Sequence, residues 1–309
     1  MAHLFMRCCL KKITSLSTDR GEITLETKVR AVYELRQKYN ITSLLKCAGV
    51  PRSTYYYHVD RFGRKDKYGE IKKLIQEIFQ ENHGRYGYRR ITLALHNRGC
   101  QINHKTVRRI LKELGLVCRV RMRKYNSYRG QIGKAAPNIL NRNFGAEYPN
   151  QKWVTDVTEF RMDGEKLYLS PIIDLFNGEV ISYDLSYHPD FKQIKNMLAK
   201  AFERVPECQG LILHSDQGWQ YRMEAYRRIL KDNDIIQSMS RKATCLDNAV
   251  AENFFSLLKT ELLYLQDFHS IEHLRREIEA YIEYYNNQRI KLRLRGMSPV
   301  QYRLQLESA

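Results

Sequence analysis

The clearest indication of the fold is the run Leu211-Ile212-Leu213-His214-Ser215-Asp216-Gln217-Gly218. Its first residues are apolar and predict a short buried strand, and an acid follows where that strand ends. Ligands of open α/β sheets bind at the carboxyl ends of strands, so Asp216 is a candidate functional residue. The alternative is ordinary turn chemistry, because Asp before Gln-Gly is also common in turns. The run therefore predicts an α/β sheet with an acid at one strand end.

The segments around this run alternate between strands and helices. Three β-rich stretches are joined by turns at Asp163-Gly164 and Asn177-Gly178, and the second turn is the stronger hairpin signal. The stretches are Trp153 to Phe160, Leu167 to Phe176 and Glu179 to Tyr187; after them come helix Phe191 to Val205, strand Leu211 to His214, helix Tyr221 to Asn233 and strand Ile235 to Met239. Hairpins followed by βαβ units predict a mixed sheet flanked by helices.

Two further acids complete a candidate metal site. Asp156 lies among β-forming residues, and Glu252 lies one turn into a helix that Asp247 is placed to cap. Each acid alone could be an ordinary surface residue. Together with Asp216 they suit Mg²⁺ or Mn²⁺, which prefer oxygen ligands, and they predict a two-metal site for phosphoryl transfer. Lys259 stands seven positions beyond Glu252 on the same helix stripe, so it would lie beside DNA held at the metals.

The amino-terminal part is predicted to be helical and to contain a helix-turn-helix. Glu26 to Lys38 has helical apolar spacing. Beyond it, Thr42 is placed to cap a short helix, Gly49 supplies a turn, and a further helix opens at Pro51-Arg52. Arg52 is therefore a candidate DNA contact. The alternative is a small helical bundle without a DNA-binding role.

A second helical unit is predicted from Lys67 to Leu116. Its last helix has Asn103 as its predicted cap and Gly115 at its end. The bases on the open face of this helix are Lys105, Arg108, Arg109 and Lys112. The alternative is a solvated charged face, but few acids accompany these bases, which favours a nucleic-acid partner.

A basic segment from Arg119 to Lys134 has no helical or strand periodicity. Bases there alternate with Tyr125 and Tyr128, which is typical of a segment that tracks a DNA backbone, and a disordered tether is a compatible alternative. The predicted domains are an unassigned segment 1–24, a helix-turn-helix-like segment 25–62, a helical DNA-binding-type domain 67–118, a basic linker 119–148 and a catalytic core with a helical extension 149–309.

Composition limits the possible partners and compartments. The 309 residues contain 52 Lys and Arg against 34 Asp and Glu, a formal charge of +18 that favours a polyanion, although a merely soluble basic protein is the alternative. Seven cysteines without a C-x-x-C pair argue against a zinc ribbon or redox motif and for reduced thiols. No apolar run reaches the roughly 18 residues of a membrane span. We expect a cytoplasmic, nucleoid-associated protein without a membrane contact.

The spacing of the acids resembles a known signature. Residues 217–251, 35 in all, separate Asp216 from Glu252, and Lys259 follows. This resembles the D,D(35)E signature of retroviral integrases and insertion-sequence transposases. Other motifs resemble the integrase-like subunit of one large insertion-sequence transposase family: Trp153-Val154-Thr155-Asp156-Val157-Thr158, Asp247-Asn248-Ala249, Phe254-Phe255, Leu258-Lys259, Tyr284-Tyr285-Asn286 through Arg289, Ser298-Pro299, Arg85-Tyr86-Gly87-Tyr88-Arg89-Arg90 and Asn103-His104-Lys105-Thr106-Val107.

The resemblance covers roughly residues 40 to 303, with two departures from the family pattern. Ala243-Thr244 replaces the Gly-Asn of many relatives, and Lys291 stands where many carry His. Neither position is a candidate metal ligand. The zinc-binding amino-terminal domain of retroviral integrases is not expected, because no His and Cys pairs have the required spacing.

The resemblance implies an RNase H-like fold and a metal-dependent site. Asp156 and Asp216 would bind two Mg²⁺ or Mn²⁺ ions and Glu252 would complete the site, while His214 would orient Asp216 or a water, or serve as a structural hydrogen-bonding residue. The implied DNA contacts are Lys259, Arg52, Arg89, Arg90, Lys105, Arg108, Arg109 and Arg289.

The implied partners are the element's terminal inverted repeats, target DNA, further copies of the chain in a synaptic complex, and an upstream helix-turn-helix subunit fused by frameshifting. The implied function is cleavage at the ends of a mobile element and strand transfer of its 3′-hydroxyl ends. One alternative is a catalytically inert DNA-binding regulator, against which the intact acids argue. Another is an RNase H-like nuclease without joining activity, which only a strand-transfer assay distinguishes.

Overall fold

The computed structural model describes residues 24–60, 62, 66–120, 136–241 and 245–307. The chain divides into two compact units, Met1–Ile71 and Lys72–Ala309. Most of the predicted amino-terminal segment, residues 121–135 of the basic linker and the departing pair Ala243-Thr244 lie outside the described residues. Among the helices that are described, none is long and apolar enough to span a membrane.

The first unit contains three short helices, α1 (Leu25–Leu35), α2 (Ile41–Ala48) and α3 (Arg52–Val59). The predicted turn between α2 and α3 is present, and Gly49 adopts a φ of +63° there, a backbone conformation that glycine adopts without strain. The prediction that Thr42 caps α2 is wrong. The cap is Asn40, whose side-chain oxygen accepts a hydrogen bond from the Thr42 amide at 2.9 Å.

The next helices form a helical segment: α4 (Gly69–Glu81), which spans the boundary between the units, and α5 (Tyr88–Asn97) and α6 (His104–Glu113) in the second unit. The predicted cap of α6 is confirmed, since the Asn103 side chain accepts from the Lys105 amide at 2.8 Å. Val107 and Ile110 on the apolar face of α6 are fully buried. The helix therefore presents its basic face to solvent, as its periodicity predicts.

A mixed six-stranded sheet follows. Its strands are β1 (Lys152–Thr155), β2 (Thr158–Met162), β3 (Glu165–Asp174), β4 (Val180–Ser186), β5 (Ile212–Ser215) and β6 (Ile236–Met239). Strand β3 pairs antiparallel with β4 on one side and with β1 and β2 on the other. Strand β1 also pairs parallel with β5, and β5 with β6. The predicted order of hairpins followed by βαβ units is confirmed.

The predicted strand Trp153 to Phe160 is interrupted, so its prediction as one element is wrong. Strands β1 and β2 keep one register along β3, from Thr155 opposite Ile172 to Thr158 opposite Leu169. Continued across the gap, this register puts Asp156 opposite Pro171. The Leu175 amide donates to the Lys152 carbonyl, so the backbone amides of the odd-numbered residues of β3 point toward β1. Pro171 is one of these residues, and it has no N–H to donate to the sheet ladder. A proline on the partner strand therefore opens the ladder at Asp156.

Helices cover both faces of the sheet. Helices α7 (Phe191–Arg204) and α8 (Glu224–Asp232) pack on the face that contains Trp153, and α9 (Ala249–Leu258) and α10 (Ile271–Asn287) pack on the face that contains Val154. Consecutive strand residues point to opposite faces of a sheet. Trp153 and Val154 are both fully buried and therefore belong to different hydrophobic cores, one on each face. A last helix, α11 (Pro299–Glu307), follows α10.

The helical segment is bonded to the carboxyl-terminal helices within the second unit. The Tyr284 hydroxyl donates to the Asn82 side chain at 3.0 Å. The Ile290 amide donates to the Tyr86 hydroxyl at 3.0 Å, and the Arg85 guanidinium donates to the Glu261 carbonyl at 2.9 Å. These bonds hold α4 and α5 against the part of the chain that follows the sheet.

Candidate active site

Asp156 occupies the gap between β1 and β2. Its Oδ1 accepts a hydrogen bond from the Val157 amide at 2.8 Å, which fixes the carboxylate beside its own backbone. The gap removes Asp156 from the regular alternation of the strand and leaves the residue half-buried. The predicted site residue is therefore positioned by the break that Pro171 imposes.

Asp216 lies directly after β5, as the sequence predicts. Its Oδ1 accepts from the Gly218 amide at 2.8 Å. A Cβ atom at Gly218 would lie 2.9 Å from this oxygen and 2.7 Å from the side-chain nitrogen of Gln220. Any larger residue would therefore displace the Asp216 carboxylate or the Gln220 side chain from its present position.

Glu252 lies in the first turn of α9 and is half-buried. Asn248 precedes the helix; its side chain donates to the Thr155 carbonyl at 3.4 Å and is near enough to Asp156 to lower the pKa of that carboxyl. This residue ties the start of α9 to the end of β1. The third acid is thereby brought to the strand ends that carry the other two.

The three carboxyls share one electrostatic environment. Burial raises the pKa of Asp156, and the neighbouring charges of Asp216 and Glu252 raise it further. Burial also raises the pKa of Asp216 and of Glu252. Carboxylates from three separate elements therefore lie close enough to repel one another, which a bound cation would reverse.

The side chains around the three acids match the ligand preference of a divalent ion. All three side chains supply oxygen, the donor that Mg²⁺ and Mn²⁺ prefer. The side-chain oxygen of Asn248, beside Asp156, is buried and has no hydrogen-bond partner among the described residues. Within those residues no three His, Cys, Asp or Glu side chains already converge as a metal cluster. The oxygen donors of the three acids fit the ion by their chemistry.

His214 is fully buried on β5, two residues before Asp216. Its Nδ1 lies 2.8 Å from the Ser238 hydroxyl, which also accepts from the Ile139 and Leu140 amides. Because that hydroxyl has one proton and already accepts twice, it donates to Nδ1, and the imidazole proton is on Nε2. Burial lowers the pKa of His214 to about 4, so the ring is neutral. The described bonds of His214 join β5 to β6 and do not include Asp216.

The predicted DNA contacts differ in their placement. Lys259, at the end of α9, is half-buried, and Arg89 is exposed with its guanidinium over the Tyr88 ring. The other exposed predicted contacts are Arg52 on α3 and Lys105, Arg108 and Arg109 on α6. These side chains remain accessible to a polyanion.

Two of the predicted DNA contacts point inward. Arg289 is 2% exposed and donates to both oxygens of the buried Glu261, at 2.7 and 2.6 Å. This placement contradicts a DNA contact for Arg289, because no face of its guanidinium is open to a phosphate. Arg90 lies 3.5 Å from the same carboxylate and over the Tyr86 ring, so most of its interactions are internal.

The relatives of the chain identify its family. A putative transposase for the insertion sequence element IS150 of Escherichia coli is 54% identical over 277 residues, which is 90% of this chain and 98% of that protein. The chain belongs to the insertion-sequence transposases. An uncharacterized transposase-like protein of Haemophilus influenzae is 52% identical over 66% of this chain and 94% of its own length.

Family models cover most of the transposase. Integrase core domain models match residues 146–245 and 252–306, and a model of an HTH-like domain matches residues 67–125. These matches confirm the predicted fold class, an RNase H-like integrase core preceded by helices of helix-turn-helix type, and place the enzyme in a family that uses divalent metal ions.

Two solved integrase cores are similar to part of the transposase. The catalytic core domain of HTLV-2 integrase in complex with magnesium covers 51% of this chain and 98% of its own, with 18% identity and a TM-score of 0.40. The catalytic core domain of BIV integrase covers 52% of this chain and 97% of its own, with 17% identity and a TM-score of 0.39.

Sequence reasoning assigned the wrong role to Asp247 of the transposase. Asp247 does not cap α9; its buried carboxylate accepts from Arg241, Arg142 and Asn138 at 2.9 Å each. The hydrogen bonds of Arg241 in particular, offsetting the cost of burial, hold the pKa of Asp247 far below its ordinary range. The acid thus joins the described end of the predicted linker, residues 138–142, to the turn that leads into α9.

Glu261 was not singled out in the sequence at all. It lies in a π-helical turn, Lys259–Leu263, which directly continues α9. Besides Arg289, it accepts from the Tyr281 hydroxyl at 3.1 Å. Its partners are distant in sequence, so only its position in an apolar stretch, Glu261-Leu262-Leu263, could have indicated a buried acid.

Proposed function

We propose that Asp156, Asp216 and Glu252 hold two Mg²⁺ or Mn²⁺ ions and that the transposase cleaves DNA at the ends of its element and joins the 3′-hydroxyl ends to target DNA. The observation that supports this proposal is the crowding of three carboxyls from separate elements, in which Asp216 and Glu252 raise the pKa of Asp156. Such crowding is costly to the protein unless a cation or proton offsets it, and oxygen ligands select a hard divalent cation.

The residues of the chain have separate parts in this reaction. When bound, the ions would activate the attacking hydroxyl and stabilise the leaving 3′-oxygen. The Val157 and Gly218 amides fix one oxygen of Asp156 and of Asp216, respectively, so these carboxylates are held in place before DNA arrives. Lys259 would contact the DNA phosphates next to the site.

DNA binding is proposed for exposed basic side chains outside the acid cluster. Arg108 lies on the same exposed face of α6 as Lys105, and its guanidinium lies over the Tyr88 ring, which limits its freedom before binding. Arg109 on α6, Arg89 on α5 and Arg52 on α3 complete the proposed set. Each phosphate contact should add to the salt dependence of binding.

Further copies of the chain are proposed as partners, because two element ends must be brought together before strand transfer. An upstream helix-turn-helix subunit, fused by frameshifting, is proposed as the main reader of those ends. The proposed place of action is the nucleoid in the cytoplasm. These proposals follow from the resemblance and from the basic charge of +18.

The test is a cleavage and strand-transfer assay on labelled duplexes that bear the element's ends, with Mg²⁺, Mn²⁺ or EDTA. Glu252→Gln keeps the size of the side chain but removes its charge, and we expect it to lower the rate by at least about a hundredfold. The matched control is Glu272→Gln, which changes an exposed glutamate in the first turn of α10 and should have the wild-type rate.

The other outcomes distinguish the competing functions. Metal-dependent cleavage without joined products would support a nuclease. DNA binding without cleavage in either protein, even with the upstream subunit present, would support an inert regulator and overturn the proposal.

A further inference from the structure

A small cavity lies beside the acid cluster. Its volume is about 160 Å³, and its lining includes Val157, Glu159, Tyr168, Asp190, Gln193 and Trp219. Val157 directly follows Asp156, and Trp219 lies three residues after Asp216. The cavity wall is therefore continuous with the backbone that holds both aspartates. Its volume is below the roughly 300 Å³ at which pockets for larger ligands begin, which suits one planar ring.

Trp219 is presented to solvent by a firmly anchored turn. Its side chain is 50% exposed, which is unusual for so large an apolar group. It begins the 3-10 turn Trp219–Arg222. Tyr221 in the same turn is fully buried and packs edge-on against Tyr226, with ring centroids 5.4 Å apart. The buried Tyr221 side chain thus anchors the turn, while the Trp219 indole remains partly exposed at the edge of the cavity.

Two carboxylates, Glu159 and Asp190, are among the residues that line the cavity. Hydrogen bonds from Arg161 and Tyr168 lower the pKa of Glu159 to about 2, so this carboxylate is ionised. Asp190 caps α7 by accepting from the Gln193 amide at 3.0 Å. Arg161 and Lys166 lie beside the Glu159 carboxylate and offset its charge. A carboxylate has about four acceptor sites, so it can still accept N–H donors, which occur on the edges of nucleobases.

We propose that this cavity holds one unstacked nucleobase of the DNA substrate next to the reacting bond, with the base stacked on Trp219 and its N–H edge directed to Glu159. The inference rests on the proposed function, because it names a subsite of the same reaction centre. A base withdrawn from the duplex beside the acids would hold the reacting phosphate in a fixed position. Stacking on an aromatic side chain tolerates any base, and the carboxylate favours bases with an amino group.

Intrinsic fluorescence of the full chain tests the proposal. The chain has two tryptophans, and Trp153 is fully buried, so a DNA-dependent change reports on Trp219. The probes are a forked duplex with mismatched terminal base pairs and a blunt duplex of equal length, both in EDTA. We expect the forked duplex to quench more strongly. Trp219→Ala should bind the forked duplex about 5- to 150-fold more weakly by anisotropy of labelled DNA, while blunt-duplex binding stays unchanged.

Two further variants serve as controls. Trp219→Phe retains a stacking ring and should keep most of the preference for the forked duplex. Tyr148→Ala removes another aromatic side chain, 57% exposed, ahead of β1 and at the strand end away from Asp156, and should bind like wild type. Equal quenching by both duplexes, or unchanged affinity of Trp219→Ala, overturns the proposal. The same DNAs incubated with Mg²⁺ and wild-type protein test the proposed function separately, since binding in EDTA needs no cleavage.

Discussion

Removal of the Glu261 carboxylate should destabilise the second unit severely. Glu261 is 1% exposed and Arg289 is 2% exposed, so Glu261→Ala leaves a buried guanidinium without its counter-charge. Burial by itself would raise the pKa of Glu261, but the hydrogen bonds and charge of Arg289 hold it below the ordinary range. Loss of one partner of such a pair costs about 3 to 5 kcal/mol.

The expected thermal shift follows from this free energy. A unit of this size loses roughly 2 to 4 °C in Tm per kcal/mol, so Glu261→Ala should unfold about 6 to 20 °C below wild type in a circular dichroism melt. Separately, wild-type stability should decrease as the pH falls below the ordinary glutamate value of 4.5, because the pKa of Glu261 is lower in the folded state than in the unfolded chain.

Two controls distinguish charge burial from a general effect of substitution. Glu224→Ala removes a partner of Arg228 from an exposed pair 3.5 Å apart, and should change stability by less than about 0.5 kcal/mol. The double variant Glu261→Met with Arg289→Met removes both charges and should recover most of the lost stability. The reasoning fails if Glu261→Ala melts within about 2 °C of wild type, or if the double variant is less stable than the single one.

Two other substitutions test the surroundings of the active site. Asp247→Asn weakens the bonds from Arg241 and Arg142 and should lower the free energy of unfolding by about 1.5 to 3 kcal/mol. It should also lower the rate of strand transfer by about a hundredfold, because misplacement of α9 displaces Glu252. A rate that decreases only in proportion to the folded fraction of the protein would contradict this role. Lys291 donates to the Tyr285 hydroxyl at 2.8 Å, and burial followed by the charge of Arg293 lowers its pKa well below 10.5. The unfolded chain therefore binds the Lys291 proton more tightly than the folded protein does. Wild-type stability, measured by denaturant titration, should rise as the pH approaches 10.5, and this rise should be absent in Lys291→Met. An identical pH profile in both proteins would exclude Lys291 as the source of the rise.

Elements set by neighbouring residues were predictable from the sequence. The caps and turns depend on residues within a few positions, as with Asn103 before α6 and Gly49 between α2 and α3. Asp216 was found because an apolar strand precedes it directly. In each case the sequence pattern and the structural cause lie in the same short segment.

Features set by distant residues were not predictable in the same way. The break at Asp156 arises from Pro171 on the neighbouring strand, and nothing within residues 153–160 marks it. Glu261 depends on Arg289, 28 positions further along the chain. A basic residue in a motif gives no indication of which way it points, which is why Arg289 was predicted as a DNA contact.

The buried acids change the interpretation of the basic composition. Three buried acids each have two arginines beside them. Glu179 is bonded by Arg204 and Arg303. The other two acids are Glu261, with Arg90 and Arg289, and Asp247, with Arg142 and Arg241. Two cations around each anion leave a surplus charge. Arg289 is buried with its acid, whereas Arg142 and Arg241 stay about half exposed beside theirs. The formal charge of +18 therefore includes guanidiniums that are bonded to buried acids. A DNA-binding surface is better sought on α6, where Lys105 and Arg108 are exposed, than in the arginine-rich motif at residues 85–90, whose Arg85 and Arg90 bond the carboxyl-terminal helices.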